Sequence, residues 1–137
     1  MSDHTMQHIH PLLIVEDVSL TADYYRTKLG FEFFFPEKAS AHLAGDFAML
    51  KRDNVILMFK AVKNGMPRPN RTVHEWLTHD AFIVVEDLES LCDELRGNGV
   101  TITKDIETTA WGTREFHFED NNGYVFCCGH AILNEND

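Results

Sequence analysis

The chain has 137 residues, 44% of them apolar and 25% charged, with a formal net charge of -10. That length is near the commonest size of a single domain, so residues 1–137 are expected to form one. The acidic balance argues against nucleic acid as a partner, because phosphate binding needs a basic surface. No apolar run approaches the roughly eighteen residues of a membrane span, so no membrane association is expected.

The amino-terminal stretch carries His4, His8 and His10 among polar residues. It lacks the basic flank and apolar core of a signal peptide, so a cytoplasmic location is expected. Leu13 to Val18, "LIVEDV", opens the first recognisable unit, and Val18, Ala22, Tyr25 and Leu29 then recur at helical spacing. Gly30 is a natural residue just past the end of that helix. An extended run from Phe31 to Phe35 follows, and a hairpin joins Phe47–Leu50 to Val55–Phe59 through residues 51–54. Pro67 and Pro69, within "NGMPRPNR", mark a linker in which Thr72 and Glu75 predict a capped turn of helix before Trp76 and Leu77.

The opening pattern then returns. Ile83 to Leu88, "IVVEDL", repeats Leu13 to Val18 at an offset of 70 residues. Leu88, Leu91 and Leu95 form a second helical stripe that stops near Asn98-Gly99. An extended run from Val100 to Thr103 leads to a hairpin pairing Glu115–Glu119 with Tyr124–Cys128, hinged on Asp120-Asn121-Asn122-Gly123. The chain is thus two tandem βαβββ modules: module one at about 8–62, a linker at about 63–77 and module two at about 78–132. The predicted fold class is α+β, a curled, barrel-like mixed sheet around a cavity, since each sheet has one face on its helix and one uncovered.

Phe33, Phe35, Phe47, Phe59, Trp76 and Trp111 are numerous enough to fill that cavity or to line it. Cys127 and Cys128 are adjacent on one strand, so one faces the cleft and the other the helix layer. Cys92 reads as a packing residue of the second helix, and three cysteines without a CxxC pair indicate neither a disulfide framework nor a zinc ribbon. Asp80 is the one acid predicted inside the cavity, a candidate general base or counter-charge, unless the strand starts at Ala81 and Asp80 merely ends the loop. No nucleophile elbow, phosphate loop or HExxH pair is present.

The stretches "VEDVSLTADYYRTKLGF" and "WGTREFHFEDNNGYVF", in this order and spacing, resemble the vicinal oxygen chelate superfamily of glyoxalases, bleomycin-resistance proteins and extradiol dioxygenases. The resemblance runs from His10 to Gly129 and implies two βαβββ modules lining one cavity, commonly in a homodimer. Metal-dependent members draw ligands from the first and last strand of each module, which selects His10, Leu57, Asp80 and Cys127 here. Leu57 has no donor atom, so no metal is favoured. In the alternative, His10, Asp80 and Cys127 would hold zinc, nickel, manganese or iron, and a slip of one residue would exchange Asp80 for His79 on the other face of its strand.

Charge, size and the "WGTREF" hairpin resemble most closely the metal-free bleomycin-resistance branch, which implies antibiotic resistance by sequestration of a cationic or aromatic small molecule without turnover. On that resemblance Trp111, Phe116, Phe118 and Cys127 form a cavity wall. Phe33, Phe35, Phe47, Phe59, Trp76 and Trp111 would stack on planar groups, and Asp46 and Asp80 would complement positive charge. The alternative is a glyoxalase-like metal-dependent lyase, isomerase or dioxygenase, with a metal-free catalyst using Asp80 as base as a third reading.

Overall fold

The computed structural model describes residues 4–35 and 46–132. In chain order the elements are β1 (Leu12–Ile14), α1 (Val18–Lys28), β2 (Glu32–Phe35), β3 (Phe47–Arg52), β4 (Val55–Lys60), α2 (Asn70–Val73), β5 (Ala81–Val84), α3 (Leu88–Gly97), β6 (Thr101–Thr108), β7 (Thr113–Glu119) and β8 (Val125–Ala131). They form two four-stranded mixed sheets, ordered β1-β4-β3-β2 and β5-β8-β7-β6. In each sheet the first strand pairs parallel with the last and the other pairings are antiparallel. This is the βαβββ unit twice over, as the repeat predicts. No helix is long and apolar enough to cross a membrane among the described residues.

Each helix starts where the repeated V-E-D motif places an aspartate. Asp17 accepts from Leu20 N at 2.9 Å, and Asp87 accepts from Ser90 N at 3.2 Å, which satisfies one orphan amide per helix. Val18, Ala22, Tyr25 and Leu29 are all buried, as their spacing requires. Gly30 then takes a left-handed φ of +73°, where a side chain would be strained. The linker helix begins earlier than expected. Pro69, with φ at -59°, stands at its N-cap, and the Thr72 hydroxyl donates back to the Pro69 carbonyl at 2.6 Å rather than capping a later turn.

The helix-covered faces of both sheets merge into one apolar core containing Leu50 and Phe59 of module one and Phe116, Phe126 and Cys128 of module two. Polar contacts sew the same seam. Arg52 binds both carboxylate oxygens of Glu94 at 2.7 and 2.9 Å and the Leu29 carbonyl at 2.9 Å, while Asn122 donates to the Thr21 hydroxyl at 2.9 Å. The modules therefore join through their helix sides, and the opposite sheet faces stay open.

This arrangement corrects part of the expected cavity wall. Phe116 is opposite Cys128 and Phe118 is opposite Phe126, so both phenylalanines face the core. Phe59 is likewise buried, 4.7 Å from the Tyr25 ring. Phe33 pairs with Leu50 on the core side and has Arg26 over its ring. The bulge after Phe33 turns Phe35 to Met49 on the open face. A pocket of about 570 Å³ also lies on the helix side, between the β3–β4 turn and α3.

Candidate functional site

In "TREFHFE" of β7 the two phenylalanines are drawn into the core, so strand alternation sends Glu115 and His117 to the open face. On β8 the same alternation sends Cys127 there and Cys128 to the core, as the adjacent pair predicts. The ladder sets His117 opposite Cys127 and Glu115 opposite Gly129. A Cβ at Gly129 would lie 2.7 Å from Glu115 Cβ and 2.5 Å from the Arg114 carbonyl oxygen, so glycine is what lets Glu115 occupy its place. Although they sit on the open face, Glu115, His117 and Cys127 are only 4%, 6% and 0% exposed.

His79 completes the group. β5 begins at Ala81 and the chain is first tied to β8 at Asp80, whose N–H donates to the Val125 carbonyl at 2.7 Å, so His79 lies before the ladder and is not held to strand alternation. The His79 ring reaches 5.3 Å from the His117 ring, and its Nδ1 lies 2.9 Å from the Thr78 hydroxyl. Asp80 is turned aside. Its Oδ1 accepts from Asn70 N at 2.7 Å and its Oδ2 from Val125 N at 2.8 Å. Both carboxylate oxygens are thus occupied in tying α2 to β8, which corrects the expectation of a cavity base or counter-charge.

Burial dominates the electrostatics. It lowers the His117 pKa, helped by His79 and Lys104 and opposed by Glu115. It pushes the Cys127 thiol up to about 12, with the negative charge of Glu115 adding to the effect. Glu115 Oε2 accepts from the Thr113 hydroxyl at 2.9 Å, and Oε1 stands 3.7 Å from His117 Nε2, beyond hydrogen-bond reach. His117 Nε2 is buried and has no hydrogen-bond partner.

Module one presents a different surface. Leu12 pairs with Met58 as Phe82 pairs with Cys127, and Met49 faces Met58 as His117 faces Cys127. The counterpart of Cys127 is therefore Met58, one residue away from the Leu57 that the constant offset selects. Leu57 lies in the core opposite Leu50. Around Met49 and Met58 the open face carries Leu12, Ile14, and the Phe35 and Phe47 rings at 6.3 Å from each other.

The other predicted residues are scattered. His10 lies beside His8 and Ile56, its Nε2 buried without a partner, and does not converge with Asp80 and Cys127. Asp46 faces Lys60 at 3.6 Å. Trp76 and Trp111 stand at the surface, 81% and 71% exposed. The metal positions carried over by resemblance thus hold a half-buried histidine, a core leucine, an aspartate already satisfied and one thiol. They do not fit a divalent ion at that place. Glu115, His117, Met49 and Met58 were missed, although the alternation of Phe116 and Phe118 with titratable residues was the signal for two of them.

A family model described as Glyoxalase/Bleomycin resistance protein/Dioxygenase superfamily matches residues 3–128. No curated protein matches the sequence. Solved structures resemble the fold at low identity. TioX from Micromonospora sp. ML1 is 16% identical with a TM-score of 0.69, covering 92% of this chain and 99% of its own. A glyoxalase-related enzyme from Clostridium phytofermentans is 17% identical with a TM-score of 0.69, covering 96% and 100%. A superfamily member from Sphaerobacter thermophilus is 22% identical with a TM-score of 0.63, covering 90% and 97%. With tandem βαβββ modules in its fold and a family match spanning nearly their whole length, the chain belongs to the glyoxalase/bleomycin resistance protein/dioxygenase superfamily.

Proposed function

We propose that this protein binds and sequesters a small aromatic or cationic molecule in the manner of bleomycin-resistance proteins, without turnover, and that it does so as a cytoplasmic homodimer. The observation that carries this reading is the unequal chemistry of the two open faces. Module one offers apolar and thioether surface at Phe35, Phe47, Met49 and Met58, where planar groups can pack. Module two offers a buried carboxylate at Glu115, the counter-charge that Asp46 and Asp80 do not supply. A cleft made from one face of each kind would hold a flat ligand by its apolar body and a cationic ligand by its charge.

The missing donors at the module-one positions favour holding over chemistry, because glyoxalase-type turnover needs several nitrogen or oxygen ligands around an accessible ion. A homodimer is favoured by apolar residues left exposed on the edge strands β1 and β5. Three unpaired cysteines suit a reducing compartment.

Calorimetric titration of chelator-treated, dialysed protein with a bleomycin-class glycopeptide tests the reading. Binding at micromolar Kd or tighter, about 8 kcal/mol or more, is expected without added metal. Absence of heat with that ligand, together with turnover of a glyoxalase-type substrate on adding metal, would overturn it in favour of the lyase, isomerase or dioxygenase alternative.

A further inference from the structure

We propose that His79, His117 and Cys127 form a binding site for a thiophilic transition-metal ion of the zinc class, displaced from the positions that the family resemblance selects. Their ligand atoms all lie within 4.8 Å of one another, the one such group of three among the described residues. Two of the three come from outside the resemblance set: His117 from the middle of β7, and His79 from the residue before Asp80. The site stands whether or not the protein sequesters a drug.

Four observations converge on an ion. His117 Nε2 is buried and unpartnered, a cost that a native interior rarely leaves unanswered. The Thr78 hydroxyl engages Nδ1 of His79, which leaves Nε2 as its available nitrogen and fixes the ring, the role an outer partner plays for a ligating histidine. Two imidazoles and a thiol are the donor set that selects zinc or copper(I) over magnesium or calcium, which take oxygen. Glu115, 3.7 Å from His117, adds a negative charge beside the group, and Lys104, the nearby cation, is neutralised by Glu107 at 2.7 Å.

The geometry needs little adjustment. Two ligands of a tetrahedral zinc lie about 3.3 to 3.8 Å apart, so contraction of about 1 Å by side-chain rotation suffices. His79 is only partly buried and stands at the mouth, while His117 and Cys127 lie behind it. Three protein ligands leave a fourth position for water or for an oxygen or nitrogen of a bound small molecule. Binding releases the Cys127 proton to solvent, and neither the metal nor the protein changes oxidation state.

Cobalt(II) titration of untagged, chelator-treated protein, with zinc as competitor, provides the test. Wild type should develop a thiolate-to-cobalt charge-transfer band that zinc abolishes. Cys127→Ser should lose the band. His117→Gln and His79→Gln should weaken binding by more than about tenfold, or 1.4 kcal/mol. Cys128→Ser and Cys92→Ser should keep the band, since Cys128 faces the core and Cys92 lies on α3. Circular dichroism checks that each variant is folded, and Cys127→Ala provides a second removal of the thiol if the serine variant is not. Cobalt binding without a sulfur band would place the metal away from Cys127 and overturn the proposal, as would a band that survives loss of Cys127. Failure of the metal test leaves drug binding intact, so the two readings are separable.

Discussion

Gly129 shows how one missing methyl group sets the open face. Gly129→Ala would force its Cβ to 2.5 Å from the Arg114 carbonyl oxygen, so backbone as well as Glu115 must move. Destabilisation of about 1–3 kcal/mol is expected in urea unfolding, the range for overpacking. Gly97→Ala meets nothing within 4 Å and should instead be neutral or stabilising by up to about 1 kcal/mol. Asp120 is a second residue whose effect can be read from its surroundings. It accepts from the Tyr25 hydroxyl at 2.5 Å and from the Asn122 and Tyr124 amides at 2.8 and 2.9 Å. Burial nevertheless raises its pKa from 3.8 to about 6, the hydrogen bonds opposing and Asp80 adding to the shift. With the folded pKa above the unfolded one, the native chain binds the extra proton between about pH 4 and pH 6. This contribution to stability is therefore full below pH 4 and is lost as pH rises through 6, by on the order of 3 kcal/mol. Unfolding free energies of wild type and Asp120→Asn, measured from pH 4 to 7, should diverge in the variant's favour by up to that amount; a pH-independent difference would refute the assignment.

At the scale of elements, Asp80 is a latch between α2 and β8. Asp80→Asn retains one acceptor oxygen and leaves either the Asn70 or the Val125 amide unpaired, which should cost about 1–3 kcal/mol and speed hydrogen exchange at that amide. Unchanged stability would return Asp80 to the list of candidate site residues. The elements themselves were legible because the sequence repeats its own signals: V-E-D before each helix, apolar stripes at helical spacing, and Gly30 and Asn98-Gly99 at the exits. Side-chain facing was less legible. The offset of 70 that aligns Leu12 with Phe82 becomes 69 between Met58 and Cys127, and one residue on a strand reverses the face, so a constant offset points to Leu57 where the sheet places Met58. The bulge in β2 separates Phe33 from Phe35 in the same way. Strand alternation would turn His79 to the other face, but it does not operate there, because β5 starts two residues later. Phe59, Phe116 and Phe118, expected on a cavity wall, lie instead in the joint core of the two modules, whereas Phe35 and Phe47 stay on the open face.

For the whole molecule, the open faces raise the question of what meets them. β1 and β5 are edge strands, each paired on one side only. Both turn apolar side chains to the open face: Leu12 is 57% exposed, Ile14 37%, Phe82 44% and Val84 76%. An unpaired edge carrying an apolar stripe is a place where another chain adds, and a twofold pairing lets one surface satisfy both copies. With β1 of one copy beside β5 of its partner, each dimer would contain two clefts, each combining the Met49–Met58 surface with the partner's polar surface. Val84→Asp is the informative variant. Its side chain is exposed in the single chain, so the monomer's own packing is spared, while a carboxylate at the proposed junction must be desolvated and adds to a net charge of -10. Light scattering should give a dimer for wild type and a monomer for the variant, with unchanged circular dichroism. Because each cleft would draw its apolar and polar halves from different copies, drug affinity should fall with dimerisation, by more than about tenfold. A monomeric wild type would refute the pairing, and a monomeric variant with undiminished affinity would place the ligand within one chain, where the helix-side pocket beside α3 becomes the site to probe.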